Sequence, residues 1–267
     1  MKLIIKGFII GIAKIIPGVS GSMLAITLNV YDKALDAICN FTGNIKENIK
    51  FLLLLSIGTI SSIIIFSKII KYLLLKYYLI TMLLFIGLII GSMKKFIKEI
   101  NINKTSLILI IISFILSISG SILYVDNNYI LRNSYFDKIM IFISGFIEAL
   151  SSIIPGISGT MLLMVFGTYS IVINLISNLT NITFIVENIS LIIVFFIGTI
   201  TGAIITSLIM KKILDKYKNN TYSCILGLCI SNIIILLIKT FKIKYTIIEL
   251  IIGFIISVLG YIIGIIL

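Results

Sequence analysis

Long apolar stretches follow one another along the chain, separated by short groups of charged residues. The uninterrupted stretches are about 17 to 22 residues long, which is enough for a helix that rises 1.5 Å per residue to cross a hydrocarbon core of about 30 Å. They exceed the roughly 10 residues of a barrel strand and show no strict alternation, so helices are predicted. The predicted spanning segments are residues 51–67, 77–93, 106–124, 189–210, 222–238 and 247–267.

Two further apolar segments each contain a helix breaker. The chain has only two prolines. They lie in Ile-Pro-Gly-Val-Ser-Gly at residues 16–21, the first proline motif, and in Ile-Pro-Gly-Ile-Ser-Gly at residues 154–159, the second proline motif. Proline removes a helical hydrogen bond and clashes with the preceding turn, and the glycines weaken the helix further. Two half-helices of about 13 residues would each reach about 20 Å, so re-entrant hairpins that turn at mid-membrane are predicted at residues 3–31 and 139–169.

The chain is internally duplicated. Residues 7–31 set against residues 145–169 give twelve identities in 25 positions, including the proline, the glycines, the serine and a closing tyrosine. The similarity continues to the end of the chain with a shift of two residues. We therefore expect one membrane domain made of two copies of one unit, residues 1–130 and 138–267, each with a hairpin and three transmembrane helices.

The distribution of lysine and arginine favours hairpins that enter from opposite faces of the membrane. Cytoplasmic flanks carry an excess of these residues. With the N-terminus inside and Lys14 left out, thirteen of them lie on inside flanks and eight on outside flanks, whereas full crossing by the proline segments would give eleven against ten. An all-α polytopic membrane protein with two inverted repeats is therefore predicted, and full crossing stays open as the alternative.

Composition supports a membrane protein and excludes several functional classes. Hydrophobic residues make up 60% of the chain, charged residues 12%, and the mean hydropathy is +1.24. The net charge of +12 lies in short lysine groups beside apolar segments, which indicates membrane topology and no nucleic-acid partner. Histidine is absent and the three cysteines show no ligand or disulfide spacing, so neither a metal nor a cofactor is expected.

The two proline motifs are the candidate binding site. A broken helix leaves N–H groups without partners, and at membrane depth protein, water or ligand must meet them. Glycines let the backbone approach a ligand, hydroxyls donate hydrogen bonds, and the start of the returning helix favours an anion such as phosphate. The predicted substrate-binding residues are Lys14, Pro17, Gly18, Ser20, Gly21 and Ser22 in the first hairpin, and Pro155, Gly156, Ser158, Gly159 and Thr160 in the second.

Two ionisable residues lie in the outgoing halves of the hairpins. A charge at membrane depth costs at least a few kcal/mol unless it faces a cavity or a partner. Lys14 could neutralise a phosphate, and Glu148 could carry a proton or pair with Lys14. The alternative for both is snorkelling to the headgroups. Tyr31 and Tyr169 close their segments, where an interfacial anchor is favoured over ligand contact.

Four glycine pairs at G-x-x-x-G spacing are expected to serve close helix packing. They are Gly7/Gly11, Gly87/Gly91, Gly198/Gly202 and Gly260/Gly264. A proline kink with packing glycines is the alternative for the two proline motifs as well. However, a breaker, glycines and hydroxyls occur together only there.

These residues resemble a known family, the undecaprenyl phosphate translocases or polyprenyl phosphate transporters. The resemblance rests on Lys6-Gly7, on both proline motifs, on Tyr31 and on Gly167-Thr168-Tyr169, and it covers essentially the full length. The chain departs from the family at three positions. These are Lys14 where an acidic residue is usual, and Ser22 and Asn29 where glycine is usual.

The resemblance implies a non-enzymatic flippase in the bacterial plasma (inner) membrane. It would return the C55 lipid carrier, through its phosphate headgroup, to the cytoplasmic leaflet after wall-polymer synthesis outside. The expected partners are polyprenyl phosphate and membrane lipids, and the oligomeric state stays open, a homo-oligomer included. The alternatives are a small-anion channel or transporter on the same broken helices, and a polyprenyl diphosphate phosphatase, against which the lack of histidine and the single arginine speak.

Overall fold

The described residues are almost entirely helical. The structure, a computed structural model, describes residues 2–15, 20–122, 135–179 and 181–266. No strand occurs in these residues, which confirms the all-α prediction. They form helices α1 (Lys2–Ile15), α2 (Gly21–Thr27), α3 (Tyr31–Cys39), α4 (Ile45–Lys76), α5 (Tyr78–Glu99), α6 (Lys104–Ile122), α7 (Tyr135–Ile153), α8 (Gly159–Val165), α9 (Tyr169–Ser177), α10 (Ile182–Phe241) and α11 (Ile247–Ile266).

Helices α4, α5, α10 and α11 are long and apolar enough to cross a membrane, and α6 contains a shorter apolar stretch over Lys104–Ser119. The backbone of α10 leaves helical geometry at Tyr217 (φ −133°, ψ 43°), which divides α10 into a first limb, residues 182–216, and a second limb, residues 218–241. Each predicted spanning segment overlaps one of these helices or limbs, and Tyr77, the first residue of the second segment, precedes α5. Residues 123, 124 and 267, at the ends of two of those segments, lie outside the described residues.

The long helices present large apolar side chains outward. Leu75 is 78% exposed, Ile247 is 77% exposed and Ile64 is 66% exposed. Such extended apolar surface is rare on proteins that face water, whereas lipid chains cover it without cost. The chain is therefore a membrane protein.

Each proline motif separates two helices that fold back on each other. In the second hairpin α7 ends at Ile153 and α8 begins at Gly159. In the first hairpin α1 ends before residues 16–19, which lie outside the described residues, and α2 begins at Gly21. A Cβ atom on Gly21 would lie 2.9 Å from Cγ of Lys14 and 3.4 Å from Cγ2 of Ile10. Helix α2 therefore returns along α1.

The returning arm of each hairpin is shorter than the predicted half-helix. Helices α2 and α8 have seven residues each. A residue with positive φ follows two positions after each helix, Asn29 (φ +53°) after α2 and Gly167 (φ +71°) after α8, and these positions are equivalent in the two copies. In both copies the N–H of the next residue donates to the carbonyl five residues earlier at 3.0 Å, a Schellman ending. A left-handed residue stops each returning helix early, and a second short helix, α3 or α9, follows.

Glycine lets the helices of each copy approach backbone to backbone. A Cβ atom on Gly7 would fall well within 3.0 Å of the carbonyl oxygen of Leu55, and a Cβ on Gly145 would do the same at Phe195. The positions are equivalent, so α1 packs on α4 as α7 packs on the first limb of α10. Each member of the four predicted packing pairs similarly meets a neighbouring helix, which confirms their packing role.

The last helix of each copy packs against the other copy. Helix α5 of the first predicted copy (residues 1–130) packs along α11 of the second predicted copy (residues 138–267), and the second limb of α10 packs along α6. Ser231 and Ser117 hydrogen-bond between α10 and α6 at 2.5 Å. One core cluster contains buried residues of both copies, such as Met82 and Ile225. The fold therefore depends on contacts between the copies.

Candidate functional site

The two broken hairpins are in contact with each other. Helix α2 is buried along six of its seven residues and packs against α5 and against α7 of the second hairpin. Hydrogen bonds from Lys14 and Tyr31 join the described parts of the two hairpins. The ammonium of Lys14 donates to Oγ of Ser152 at 2.9 Å, and the hydroxyl of Tyr31 donates to the carbonyl of Ile153 at 2.8 Å. The candidate site is the region where these contacts meet.

Lys14 lies in the last turn of α1, with its ammonium directed at the second hairpin. Its stem crosses Gly21, where a Cβ atom would lie 2.9 Å from Cγ of Lys14. Glycine at the start of α2 therefore makes room for this lysine. Lys14 is exposed apart from its bond to Ser152, so it can bind a further group.

The hydroxyls of Ser20 and Ser22 are buried and hydrogen-bond each other at 2.7 Å. Ser20 is the N-cap residue of α2, but its side chain accepts no capping hydrogen bond. Each hydroxyl carries one hydrogen, so the bond between them leaves one hydrogen to donate elsewhere. Pro17 and Gly18, which complete the predicted site in this hairpin, lie outside the described residues.

The second proline motif is anchored to the second limb of α10. Pro155 and Gly156 are buried, and Gly156 has φ +84°, a conformation that favours glycine. The carbonyl of Gly156 accepts a hydrogen bond from Nδ2 of Asn232 at 2.8 Å. Asn232 is not among the residues predicted from the sequence. The sequence does indicate that Asn232 has a buried partner, because a polar residue inside an apolar spanning segment is usually buried against one.

Glu148 lies beside the start of α8. A Cβ atom on Gly159 would lie 2.8 Å from Oε2 of Glu148. The predicted pairing of Glu148 with Lys14 is not seen, although the structure describes both residues, because Glu148 is turned towards its own returning helix while Lys14 bonds Ser152. The described ion pairs are Lys33–Glu47, Lys211–Asp36 and Lys218–Glu99.

Two further predicted residues flank the start of α8. Ser158 precedes it and is half-buried. Thr160 is in its first turn, and its side chain lies outside what the structure describes. The structure thus brings Lys14 to the contact between the hairpins and adds Ser152, while Ser20 and Ser22 lie at the start of α2, the helix that packs against α7.

Tyr31 has a different place from the predicted interfacial anchor. It is only 5% exposed, and its hydroxyl reaches 122 positions along the chain to Ile153, the last residue of α7. The last carbonyls of a helix have no partner within the helix, so the Tyr31 hydroxyl supplies a donor that the carbonyl of Ile153 would otherwise lack. The anchor prediction is therefore wrong for Tyr31. Tyr169 is half-buried and packs against the hydrophobic cluster of the second hairpin.

Each hairpin is also closed by a side chain at an equivalent position of its outgoing helix. Lys6 donates from Nζ to the carbonyl of Leu28 at 2.8 Å. In the second copy Ser144 donates from Oγ to Oγ1 of Thr168, also at 2.8 Å. Both bonds tie the outgoing helix to residues just after the returning helix, although the acceptors Leu28 and Thr168 are two positions apart in the alignment of the copies.

A polar cavity of about 120 Å³ lies beside the end of the first hairpin. Lys218 contributes a cation to its lining, but its Nζ atom is already 2.6 Å from the carboxylate of Glu99. Together with Asp32 the lining carries two carboxylates against one lysine, which disfavours a phosphate. The lining residues are Ile26, Asn29, Tyr31, Asp32, Glu99, Lys218 and Tyr222.

Comparisons with known proteins bear on the whole chain. Residues 10–247 match the family model described as undecaprenyl phosphate translocase-like. A polyprenyl-phosphate transporter of Vibrio cholerae is 27% identical over 243 residues, which cover 86% of this chain and 75% of the relative. A polyprenyl-phosphate transporter of Staphylococcus aureus is 28% identical over 242 residues, which cover 86% of this chain and 83% of the relative. No solved structure matches.

Proposed function

Because the chain belongs to the undecaprenyl phosphate translocase-like family, we propose that it carries polyprenyl phosphate across the bacterial plasma membrane. The family and both relatives are named for transport, so the chain is a transporter and not an enzyme. In this proposal the phosphate headgroup passes between the two hairpins while the polyprenyl tail stays in lipid. The transporter thereby returns the lipid carrier to the cytoplasmic leaflet for a further round of cell-envelope synthesis.

The proposal includes an inverted arrangement of the two copies, residues 1–130 and 138–267. Equivalent close contacts within each copy and the reciprocal packing of the last helices support a twofold relation between them. The distribution of lysine and arginine favours an axis in the membrane plane. The re-entrant hairpins then enter from opposite faces and meet near mid-membrane.

The observation that carries the proposal is the place of Lys14. Its ammonium lies between the two hairpins, 2.9 Å from Ser152. An ammonium has three hydrogens to donate, and Ser152 takes one, so two are left for phosphate oxygens. A hydrogen bond to a charged group contributes about 1.5 to 3 kcal/mol. Lys14 can therefore replace a large part of the hydration that the phosphate loses.

Hydroxyls of the proline motifs complete the proposed site. The pair of Ser20 and Ser22 has one hydrogen to donate, and Ser158 and Thr160 contribute hydroxyls from the second hairpin. Together with Gly18, Gly21, Gly156 and Gly159, and with Pro17 and Pro155 as breakers, they form the proposed substrate-binding set. Hydroxyl and amide donors suit a phosphate because all of its oxygens accept hydrogen bonds.

Glu148 is the proposed proton-coupling residue. An ionised carboxylate beside the start of α8 opposes a bound phosphate, whereas a protonated carboxyl can donate to it. Binding of the headgroup would therefore be linked to binding of a proton. In proteoliposomes, Glu148→Gln should transport at a rate that no longer responds to an imposed pH gradient. Glu187→Gln, on an exposed residue outside the hairpins, should respond like the unchanged protein, and an unchanged response of Glu148→Gln would remove this role.

Binding to polyprenyl phosphate in detergent tests the proposed function. The purified protein should bind C55 phosphate saturably and the corresponding C55 alcohol much more weakly. Lys14→Gln should weaken binding about tenfold or more, since a charge-assisted bond is lost. Lys46→Gln, on an exposed lysine of α4, should bind like the unchanged protein. Lack of phosphate-specific binding would refute the proposal, chloride or phosphate flux without lipid would indicate a small-anion transporter, and release of phosphate would indicate an enzyme.

A further inference from the structure

Lys14 and Ser152 are in contact although they are 138 positions apart. This separation is also the offset that aligns the two hairpins, since Pro17 corresponds to Pro155 and Gly21 to Gly159. Lys14 and Ser152 are thus counterparts, at the same position of the two copies. Atoms related by a twofold axis lie apart by twice their distance from it, so counterparts touch only where the axis passes between them.

We propose that Lys14 and Ser152 together form one phosphate-binding point on the pseudo-twofold axis of the two hairpins. Ser152 is then a headgroup-binding residue in its own right. This inference deepens the proposed function and rests on it for the identity of the ligand. The consequence is that the lysine serves the site equally well from either hairpin, because a point on the axis is the same distance from both.

The hydrogen bond from Tyr31 to the second hairpin does not join counterparts. Tyr31 bonds to Ile153, whereas its counterpart is Tyr169. Of these two hydrogen bonds between described residues, only that of Lys14 and Ser152 joins counterparts, and it marks the proposed crossing point of the axis.

The chemistry of the pair fits a single cation on the axis. Two ammonium groups as close as Lys14 and Ser152 would repel each other strongly. A serine avoids this repulsion and accepts a hydrogen bond from the lysine, as observed at 2.9 Å. Its own O–H then remains to donate to a phosphate oxygen. One charged and one neutral donor can therefore hold the same phosphate.

Transposing the two residues tests the inference directly. Lys14→Ser should weaken binding of C55 phosphate about tenfold or more, as expected for a lost charge-assisted bond. The double variant Lys14→Ser with Ser152→Lys should restore affinity to within about threefold of the unchanged protein, well inside the tenfold that one such bond is worth. The transposed lysine would lie one helical turn after Glu148, so the double variant is also made with Glu148→Gln to remove a competing ion pair. If the double variant binds as weakly as Lys14→Ser in both backgrounds, Lys14 acts only from its own hairpin and the inference is refuted.

Melting temperature supplies a second readout that needs no lipid. Ser152→Lys alone places two lysines together and should lower the Tm, and adding Lys14→Ser should restore it. An unchanged Tm for Ser152→Lys, or a loss that Lys14→Ser does not restore, would show that the counterparts do not share the axis. This readout stays informative if polyprenyl phosphate proves to be the wrong ligand, so failure of the inference and failure of the proposed function can be told apart.

Ser152→Ala tests the role of Ser152 without adding charge. Loss of one neutral hydrogen bond should weaken C55 phosphate binding about three- to tenfold. Ser177→Ala, on an exposed serine of α9, should bind like the unchanged protein. Equal affinities for the two alanine variants would remove Ser152 from the site.

Discussion

Replacing Gly7 or its counterpart Gly145 by alanine should destabilise helix packing within its own copy, and to the same extent in both. A Cβ atom on Gly7 would lie 3.0 Å from the carbonyl carbon of Leu55 and 3.2 Å from its Cα, with the carbonyl oxygen closer still. Gly145 meets the carbonyl of Phe195 in the same way. Ordinary contact with a Cβ begins at 3.4 Å, and the obstacle is backbone, which cannot rotate away. The two helices must therefore move apart.

Overpacking of this kind costs about 1 to 3 kcal/mol, and the better helix propensity of alanine returns up to about 1 kcal/mol. Because the obstacle is backbone, the upper part of that range, about 2 to 3 kcal/mol, applies, and the net loss should be about 1 to 2 kcal/mol in each copy. Close packing is a main source of attraction between helices in lipid, so little compensates for its loss. For a chain of this size the Tm should fall by about 2 to 8 °C.

Thermal unfolding in detergent, followed by the loss of the monodisperse peak in size-exclusion chromatography, measures this effect. Gly43→Ala is the matched control, because a Cβ there would meet only the carbonyl oxygen of Asn40 at 3.5 Å. It should leave the Tm unchanged. If Gly7→Ala and Gly145→Ala have the same Tm as Gly43→Ala, the backbone contacts at the two glycines are not as close as described. If only one of them loses stability, the two copies do not pack alike.

Four further changes test how the hairpins are held. Tyr31→Phe keeps the ring but leaves the carbonyl of Ile153 without its donor, so unfolding should show a loss of about 1 kcal/mol. Asn29→Gly should raise the Tm slightly and Gly167→Ala should lower it by the equivalent of about 1 kcal/mol, because both positions have positive φ and a side chain is strained there. Asn232→Leu should cost about 1 to 3 kcal/mol in thermal unfolding, since it strands the buried carbonyl of the second proline motif.

For Tyr31, Gly167 and Asn232, a specific result would contradict the expected effect. Tyr245→Phe alters an exposed tyrosine, and a Tyr31→Phe protein as stable as this control would show that the bond between the hairpins contributes nothing. A stabilising Gly167→Ala would mean that the returning helix does not end in the left-handed conformation. If Asn232→Leu leaves the stability unchanged, a group other than Asn232 must donate to the carbonyl of Gly156.

The sequence predicted the features of the fold that are local. Run length located the long apolar helices, and the breakers located the turn between α7 and α8 at Pro155 and Gly156. The length of the returning arm was predicted wrongly because its end depends on one left-handed residue. Gly167 carries a visible signal for that conformation, whereas Asn29 carries a weaker one.

Contacts between distant positions could not be predicted from one sequence. Tyr31 and Ile153, or Lys14 and Ser152, are neighbours only because the copies pack together. Periodicity shows which face of a helix is apolar but not which helix lies against it. Asn232 is the exception in part, since its polarity in an apolar run indicates a buried partner, although not which one.

The differences between the two copies follow from where their counterparts lie. Identical prolines and glycines can serve both hairpins, because a break in the backbone carries no net charge. Charges near a twofold axis are different, since counterparts there approach each other and like charges repel most strongly away from water. The chain has Lys14 opposite Ser152, and it has Glu148 where the first copy has Ile10. On the proposed axis one cation can serve both hairpins, and the divergence of Lys14 from Ser152 keeps the symmetry of the backbone while avoiding repulsion between two ammonium groups.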